Sequence, residues 1–164
     1  MFLSLSHYLK DPTSWIHHTP EFVIIKDKYP KAKVHILALP FKNLDSIYDL
    51  SNDDIPLLRR MHAALCEFGN DLQIGFHRFP SMKPLHMHAV STDFVSPCLK
   101  RKQHWNSFNT KLFLNSTEAI EELETKGKVE FMDIKHLEKQ DLQCDGQQFK
   151  NMPALKEYLA ARAK

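Results

Sequence analysis

Pro80–Phe94 reads PSMKPLHMHAVSTDF, and it places His86 and His88 one residue apart inside an apolar run. LHMHAVS predicts a strand over Leu85–Ser91. Side chains in a strand alternate faces, so His86, His88 and Val90 share one face and Leu85, Met87 and Ala89 the other. The second face is apolar and belongs against a core. The first presents two imidazoles roughly 6.5–7 Å apart along the strand. LQIGFHR predicts a preceding strand over Leu72–Arg78, and the turn between Pro80 and Pro84 folds its His77 back beside His86. Ser81 adds a hydroxyl within that turn. Three readings of the histidine face compete: structural imidazoles, two or three ligands of a zinc centre, or covalent catalysis by a neutral imidazole that attacks phosphorus.

Working outward, EFVIIKD (Glu21–Asp27) and KVHILAL (Lys33–Leu39) predict an antiparallel hairpin that turns through KYPKAK. Apolar residues recur at helical spacing over Asp53–Gly69, with Ser51 and Asp54 forming a capping-box signal and Gly69–Asn70 the stop. A short helix is expected over residues 4–10. Another is expected over Ser116–Gly127, with Ser116 as its cap, and a terminal one over Asn151–Lys164. KVEFMDI (Lys128–Ile134) suits a last strand or an extended arm, and residues 96–114 look loop-like until a short apolar end. The expectation is an α+β fold, a mostly antiparallel sheet of about five strands flanked by helices.

The 164 residues suit one domain with a small appendage, and 43% hydrophobic with 26% charged residues is ordinary globular composition. A net charge of +2 gives no overall case for nucleic acid, so only a local patch can carry one. Three widely spaced cysteines, Cys66, Cys98 and Cys144, argue against a disulfide framework. No signal peptide or membrane span is read, and a soluble intracellular protein is expected. With four glycines there is no Gly-rich phosphate loop.

The run PSMKPLHMHAVSTDFVSPCLKRKQHWNSFNT closely resembles the aprataxins of the histidine-triad superfamily, as do VIIKDKYPKAKVHILALP and LQIGFHRFPSM. HWNSFNT after a histidine strand is far more specific than His-x-His alone. The resemblance implies a histidine-triad fold and a hydrolase that removes AMP from 5′-adenylated nicked or double-stranded DNA ends. The route is a histidine–AMP intermediate, with no metal or redox cofactor. It implies that His86 is the nucleophile, that His88 holds phosphate oxygens, that His77 assists the leaving DNA phosphate and that Ser81 binds phosphate. Asp27 would grip the ribose, Lys31 would lie near ribose and DNA backbone, and Tyr29, Leu37 and Leu39 would line the adenine pocket or belong partly to the core. A nuclear, monomeric repair enzyme that does not engage membranes follows, with AMP as product. The alternatives are a general nucleotide hydrolase of the same group, acting on AMP-amines or dinucleotides, and a non-catalytic DNA-end binder.

The chain departs from the family pattern in three places. Pro84 stands where the first triad histidine would be, which puts the positioning of the others in question. LQCDGQQFKNMPALKEYLAARAK follows the outline of the family's C-terminal zinc finger, but only Cys144 suits a ligand. Gln147, Tyr158 and Arg162 occupy the other positions, so no zinc is expected. Phe2 lies near the place of an aromatic wedge, where it would stack on a terminal base or pack a helix. No forkhead-associated domain is read. The division expected is a catalytic core over 1–115 and a helical extension over 116–164. In LKRKQHWN, Lys100, Arg101 and Lys102 with His104 and Trp105 form the expected DNA-facing segment, whose cations engage phosphates while the indole stacks or anchors the loop.

Overall fold

Residues 3–164 are described by the computed structural model, with side chains from Ser4 onward. In chain order, strand β1 (Leu3–Ser4) precedes a 3₁₀ turn over Ser6–Lys10 and strands β2 (Trp15–His18), β3 (Phe22–Lys26) and β4 (His35–Pro40). Helix α1 (Ile55–Cys66) leads to β5 (Leu72–His77), β6 (Met82–Lys83) and β7 (Met87–Ser91). Helix α2 (Lys102–Asn109), β8 (Phe113–Asn115) and α3 (Ser116–Lys126) follow, then β9 (Leu142–Cys144), β10 (Gln147–Phe149) and α4 (Met152–Arg162). The main sheet has six strands in the order β2-β3-β4-β7-β5-β8, every neighbour antiparallel.

Strand alternation sorts the two faces. Ile24, Ile36, Ala38, Ile74, Phe76, Met87 and Ala89 pack against Leu58, Met61 and Leu65 of α1 and Leu123 of α3. Val90 on the opposite face packs with Phe94, Leu99, Trp105, Phe108 and Phe113, joined by Leu142, Cys144, Leu155 and Leu159 from the end of the chain. The sheet is therefore covered on both faces, as a long central strand pair requires.

Several elements differ from expectation for local reasons. Helix α1 begins after a 3₁₀ turn at Asn52–Asp54. There the Ser51 hydroxyl accepts from Asp53 N–H, and Asp54 Oδ2 accepts from Ser51 N–H at 2.9 Å, so the capping box stands where it was read. Asn115, not Ser116, occupies the N-cap of α3; Ser116 is buried and its hydroxyl meets His62 Nδ1. Gly127 ends that helix in the left-handed region (φ 75°), its N–H bonding Leu123 O. Residues 6–10 form a 3₁₀ turn, not an α-helix, while β1 pairs in parallel with β6 and Leu5 N–H donates to Lys83 O at 2.7 Å. Helix α2 and strands β1, β2, β6, β8, β9 and β10 are additions. Lys128–Ile134 takes the extended-arm alternative and joins no strand.

Gly75, paired directly with His88, has a Cβ position 2.1 Å from Leu114 O. No side chain fits there, and this close approach lets β8 pack beside the histidines.

Candidate active site

The histidines gather on one sheet face around β7. His88 pairs with Leu37 across β4 and with Gly75 across β5, which puts His35, two residues before Leu37, and His77, two after Gly75, on its face. Ring centroids lie 4.3 Å apart for His77–His88, 4.9 Å for His86–His88 and 5.2 Å for His35–His88. Phe108 of α2 presses edge-on against three of them, 4.4 Å from His77 and 5.4 Å from both His35 and His88. His86 stands one residue before β7, not within it. Ladder pairing with β4 stops at Met87, and Leu85 N–H turns to Leu44 O.

The hydrogen bonds assign the protons. His86 Nδ1 lies 2.8 Å from the Pro84 carbonyl, which can only accept, so Nδ1 carries the proton and Nε2 keeps its lone pair. Pro84 thus holds His86 with a main-chain group, independent of its own side chain. His35 Nδ1 accepts the Lys31 backbone N–H at 3.0 Å, so neutral His35 carries its proton on Nε2. That proton faces His88 Nδ1 at 2.9 Å, with Asp27 Oδ2 at 3.4 Å. His88 is left with its proton on Nε2, a buried donor with no partner among the described residues. His77 Nε2 is buried and unpartnered in the same way. Unmet buried polar atoms are costly, so their clustering marks a place built to receive a polar group.

Electrostatics keep these rings neutral. Burial pushes the His35 pKa down to about 4, against a partial restoring pull from Asp27. Burial and then mutual repulsion hold His77 and His88 well below the usual imidazole value. His86 is lowered by burial too, offset in part by the Pro84 carbonyl and the charge of Asp27. Desolvation also depresses the half-buried Lys31, and its charge contributes to the lowering of His35, His77, His88 and His104. It therefore joins the histidine cluster to the basic segment.

The other expected site residues are placed as follows. Asp27 caps its own turn, Oδ1 accepting Tyr29 N–H at 2.8 Å, while Tyr29 is 56% exposed. Leu37 and Leu39 are fully buried with Leu5, Val23 and Ile25, so they form a floor and not an open wall. Ser81 is exposed, beside the cleft that His77 and His86 line with Pro80, Met82 and Leu85. Lys100 and Arg101 are exposed at the start of α2, where both backbone N–H groups donate to His104 Nδ1 (3.0 and 3.2 Å), and Lys102 pairs with Asp141 at 3.8 Å. Trp105 takes the anchoring alternative and not the stacking one: its indole is buried and donates Nε1–H to Gln143 O at 3.1 Å, so it holds the segment from beneath. Phe2 lies outside the described residues.

His35 is the site residue that the sequence reading missed. The signal was its alternation with Leu37 and Leu39 on one strand. The facing atoms of Asp27, His35 and His88 lie within 4.8 Å of one another, a spacing compatible with a cation. The His35 and His88 nitrogens are already hydrogen-bonded to each other, and His77 and His86 are not in that group.

The helices packed on a six-stranded antiparallel sheet, with four histidines gathered on one face, make a histidine-triad fold. Residues 5–104 match the family model described as "Scavenger mRNA decapping enzyme C-term binding", and the chain belongs to that family, among the histidine-triad proteins. It is similar to aprataxin of Gallus gallus, 42% identical over 94% of this chain and 52% of that one, and to aprataxin of Danio rerio, 38% identical over 92% and 50%. The chain thus spans about half the length of these relatives. Its fold is shared with the crystal structure of the aprataxin ortholog Hnt3 in complex with DNA (TM-score 0.80, 22% identity, 96% of this chain and 92% of that one).

Proposed function

We propose that the protein removes AMP from the 5′-phosphate of DNA ends through a covalent adenylate on His86 Nε2. The observation that carries this reading is the opposed pair of tautomers: a lone pair on His86 Nε2 beside a buried, unpartnered N–H on His88 Nε2. A nucleophile and a donor for the phosphoryl oxygen are what a displacement at phosphorus needs.

In the first step the His86 lone pair forms an N–P bond to the AMP phosphorus while the P–O bond to the DNA 5′-phosphate breaks. The released phosphate keeps the electron pair, and His77, whose buried Nε2 has no partner among the described residues, stabilises it. His88 Nε2–H donates to a phosphoryl oxygen, which satisfies its orphaned proton. In the second step water forms the new P–O bond, the N–P bond breaks, the electrons return to His86, and the proton from water leaves with the products. Asp27 retains acceptor capacity for ribose hydroxyls beyond its bond to the Tyr29 N–H. Ser81 at the cleft edge binds phosphate, and Tyr29 covers the base above the floor made by Leu37 and Leu39. Lys31, Lys100, Arg101 and Lys102 engage the DNA backbone, with His104 closing their turn. The DNA-bound structure of similar fold and the aprataxin relatives support a DNA substrate. The reading places the protein in the nucleus as a monomer.

The test is AMP release from a nicked duplex carrying a 5′-adenylate, with His86→Ala as control. Turnover by the wild type and background release by the variant are expected. Wild-type binding without release would overturn the catalytic claim and leave a DNA-end binder. Equal or better turnover of AMP-amines or dinucleotides would replace the DNA substrate with small nucleotides.

A further inference from the structure

The segment that resembles a metal-binding finger is organised around a guanidinium. Hairpin β9–β10 turns through Asp145 (φ 51°) and Gly146 (φ 76°), with Cys144 paired to Gln147. A two-residue Asp-Gly loop with both φ values positive closes a hairpin unaided. Arg162, in the last turn of α4, reaches back over this turn. Its Nη1 donates to Asp145 Oδ2 at 3.0 Å and lies 3.3 Å from Cys144 Sγ, while Nη2 donates to Thr92 O at 2.8 Å. Tyr158, one helical turn earlier, donates its hydroxyl to the same Asp145 oxygen at 2.8 Å. Leu155 and Leu159 of α4 are fully buried against Leu142, Phe94 and Trp105.

These residues do not fit a structural zinc. Structural tetrahedral sites are built from thiolates and imidazoles, and this place offers one thiol, a phenol, an exposed carboxamide at Gln147, the Asp145 carboxylate already engaged by Tyr158 and Arg162, and a permanent cation. We propose that Arg162 is itself the fixed cation of this unit. Its planar fork clasps the hairpin, the terminal helix and Thr92, the residue that follows β7, in place of a metal. Arg suits the task because several rigid donors radiate from one charge. The clasp reaches the site through α2. Trp105 bonds Gln143 O, and Asn106 Nδ2 bonds Glu138 O and Gln140 O at 3.1 and 3.0 Å, so the C-terminal unit supports the helix that carries His104 and Phe108.

The test uses the full chain: zinc content of the purified protein, thermal midpoint with and without a strong chelator, and limited proteolysis of Arg162→Met and Arg162→Lys. Expected are zinc far below one per chain and a midpoint that the chelator does not move. Arg162→Met should lower the midpoint by about 3–8 °C and open residues 135–164 to protease. Arg162→Lys should be intermediate, because one ammonium cannot span all the acceptors. If Arg162→Met fails to fold, Asp145→Asn, which keeps the guanidinium and neutralises its partner, should show a smaller fall that vanishes in high salt. One zinc per chain whose removal collapses the midpoint would overturn the proposal. So would an Arg162→Met variant with wild-type midpoint and cleavage pattern.

Discussion

Replacing His35 with leucine tests the proton assignment most directly. The side chain is buried, is of similar volume to leucine and stands behind His88. Its removal takes away the donor to His88 Nδ1 and the acceptor of the Lys31 N–H. One buried neutral hydrogen bond contributes about 1 kcal/mol net, and an orphaned buried partner costs about 1–3 kcal/mol. With that donor gone nothing fixes the His88 tautomer, so its proton is shared between Nε2 and Nδ1 and the donor offered to a phosphoryl oxygen is present only part of the time. Loss of such a donor costs about 10²–10³ in kcat when complete. Since the tautomer shift is partial, His35→Leu should lower kcat by about 10–100-fold with KM changed far less. His35→Gln, whose amide can still donate toward His88, should recover part of the loss. Nitrogen NMR of His88 should show the Nε2–H form in the wild type and a mixture in His35→Leu. A kcat within twofold of wild type, or His88 already on the Nδ1–H form in the wild type, would refute the reasoning.

Acid should destabilise the fold. The unfolded chain takes up a proton on His35 near pH 6.5, while the folded chain refuses it until about pH 4, so stability is constant above that window and falls as pH drops through it. His35 contributes about 3 kcal/mol to the fall, His77, His86 and His88 act in the same direction, and His35→Leu should flatten part of the slope in denaturant titrations. Gly75→Ala drives a methyl into Leu114 O and should cost about 3 kcal/mol or more, read as a lowered unfolding midpoint. Lys100→Ala with Arg101→Ala should reduce the salt slope of DNA binding by about 2. Trp105→Phe should lower stability by about 1 kcal/mol through its lost bond to Gln143 and leave that slope unchanged.

Local signals carried much of this fold. Short apolar, β-branched runs marked β3 and β4, because a strand covered on both faces is apolar throughout, and alternation sorted the two faces of the strand that holds His88. The Ser51–Asp54 box and Gly127 marked helix ends, because orphaned backbone groups there need particular residues. Helix α2 escaped notice because eight residues carry barely two turns of periodicity, and β2 and β8 because three- and four-residue strands carry almost none.

For the site, the sequence by itself determined a candidate inventory: His77, His86 and His88 near one turn, with Asp27 and Lys31 on a hairpin and a basic run after the last histidine-bearing strand. Tertiary structure alone decided how that inventory is wired. Only pairing between β4 and β7, more than fifty residues apart, brings His35 to His88 and fixes where each proton sits. Likewise the indole of Trp105 turns inward and Arg162 meets Thr92 only once the end of the chain has packed against the sheet. Hydrogen-bond partners and burial are properties of such distant pairings, and no local pattern of residues encodes them.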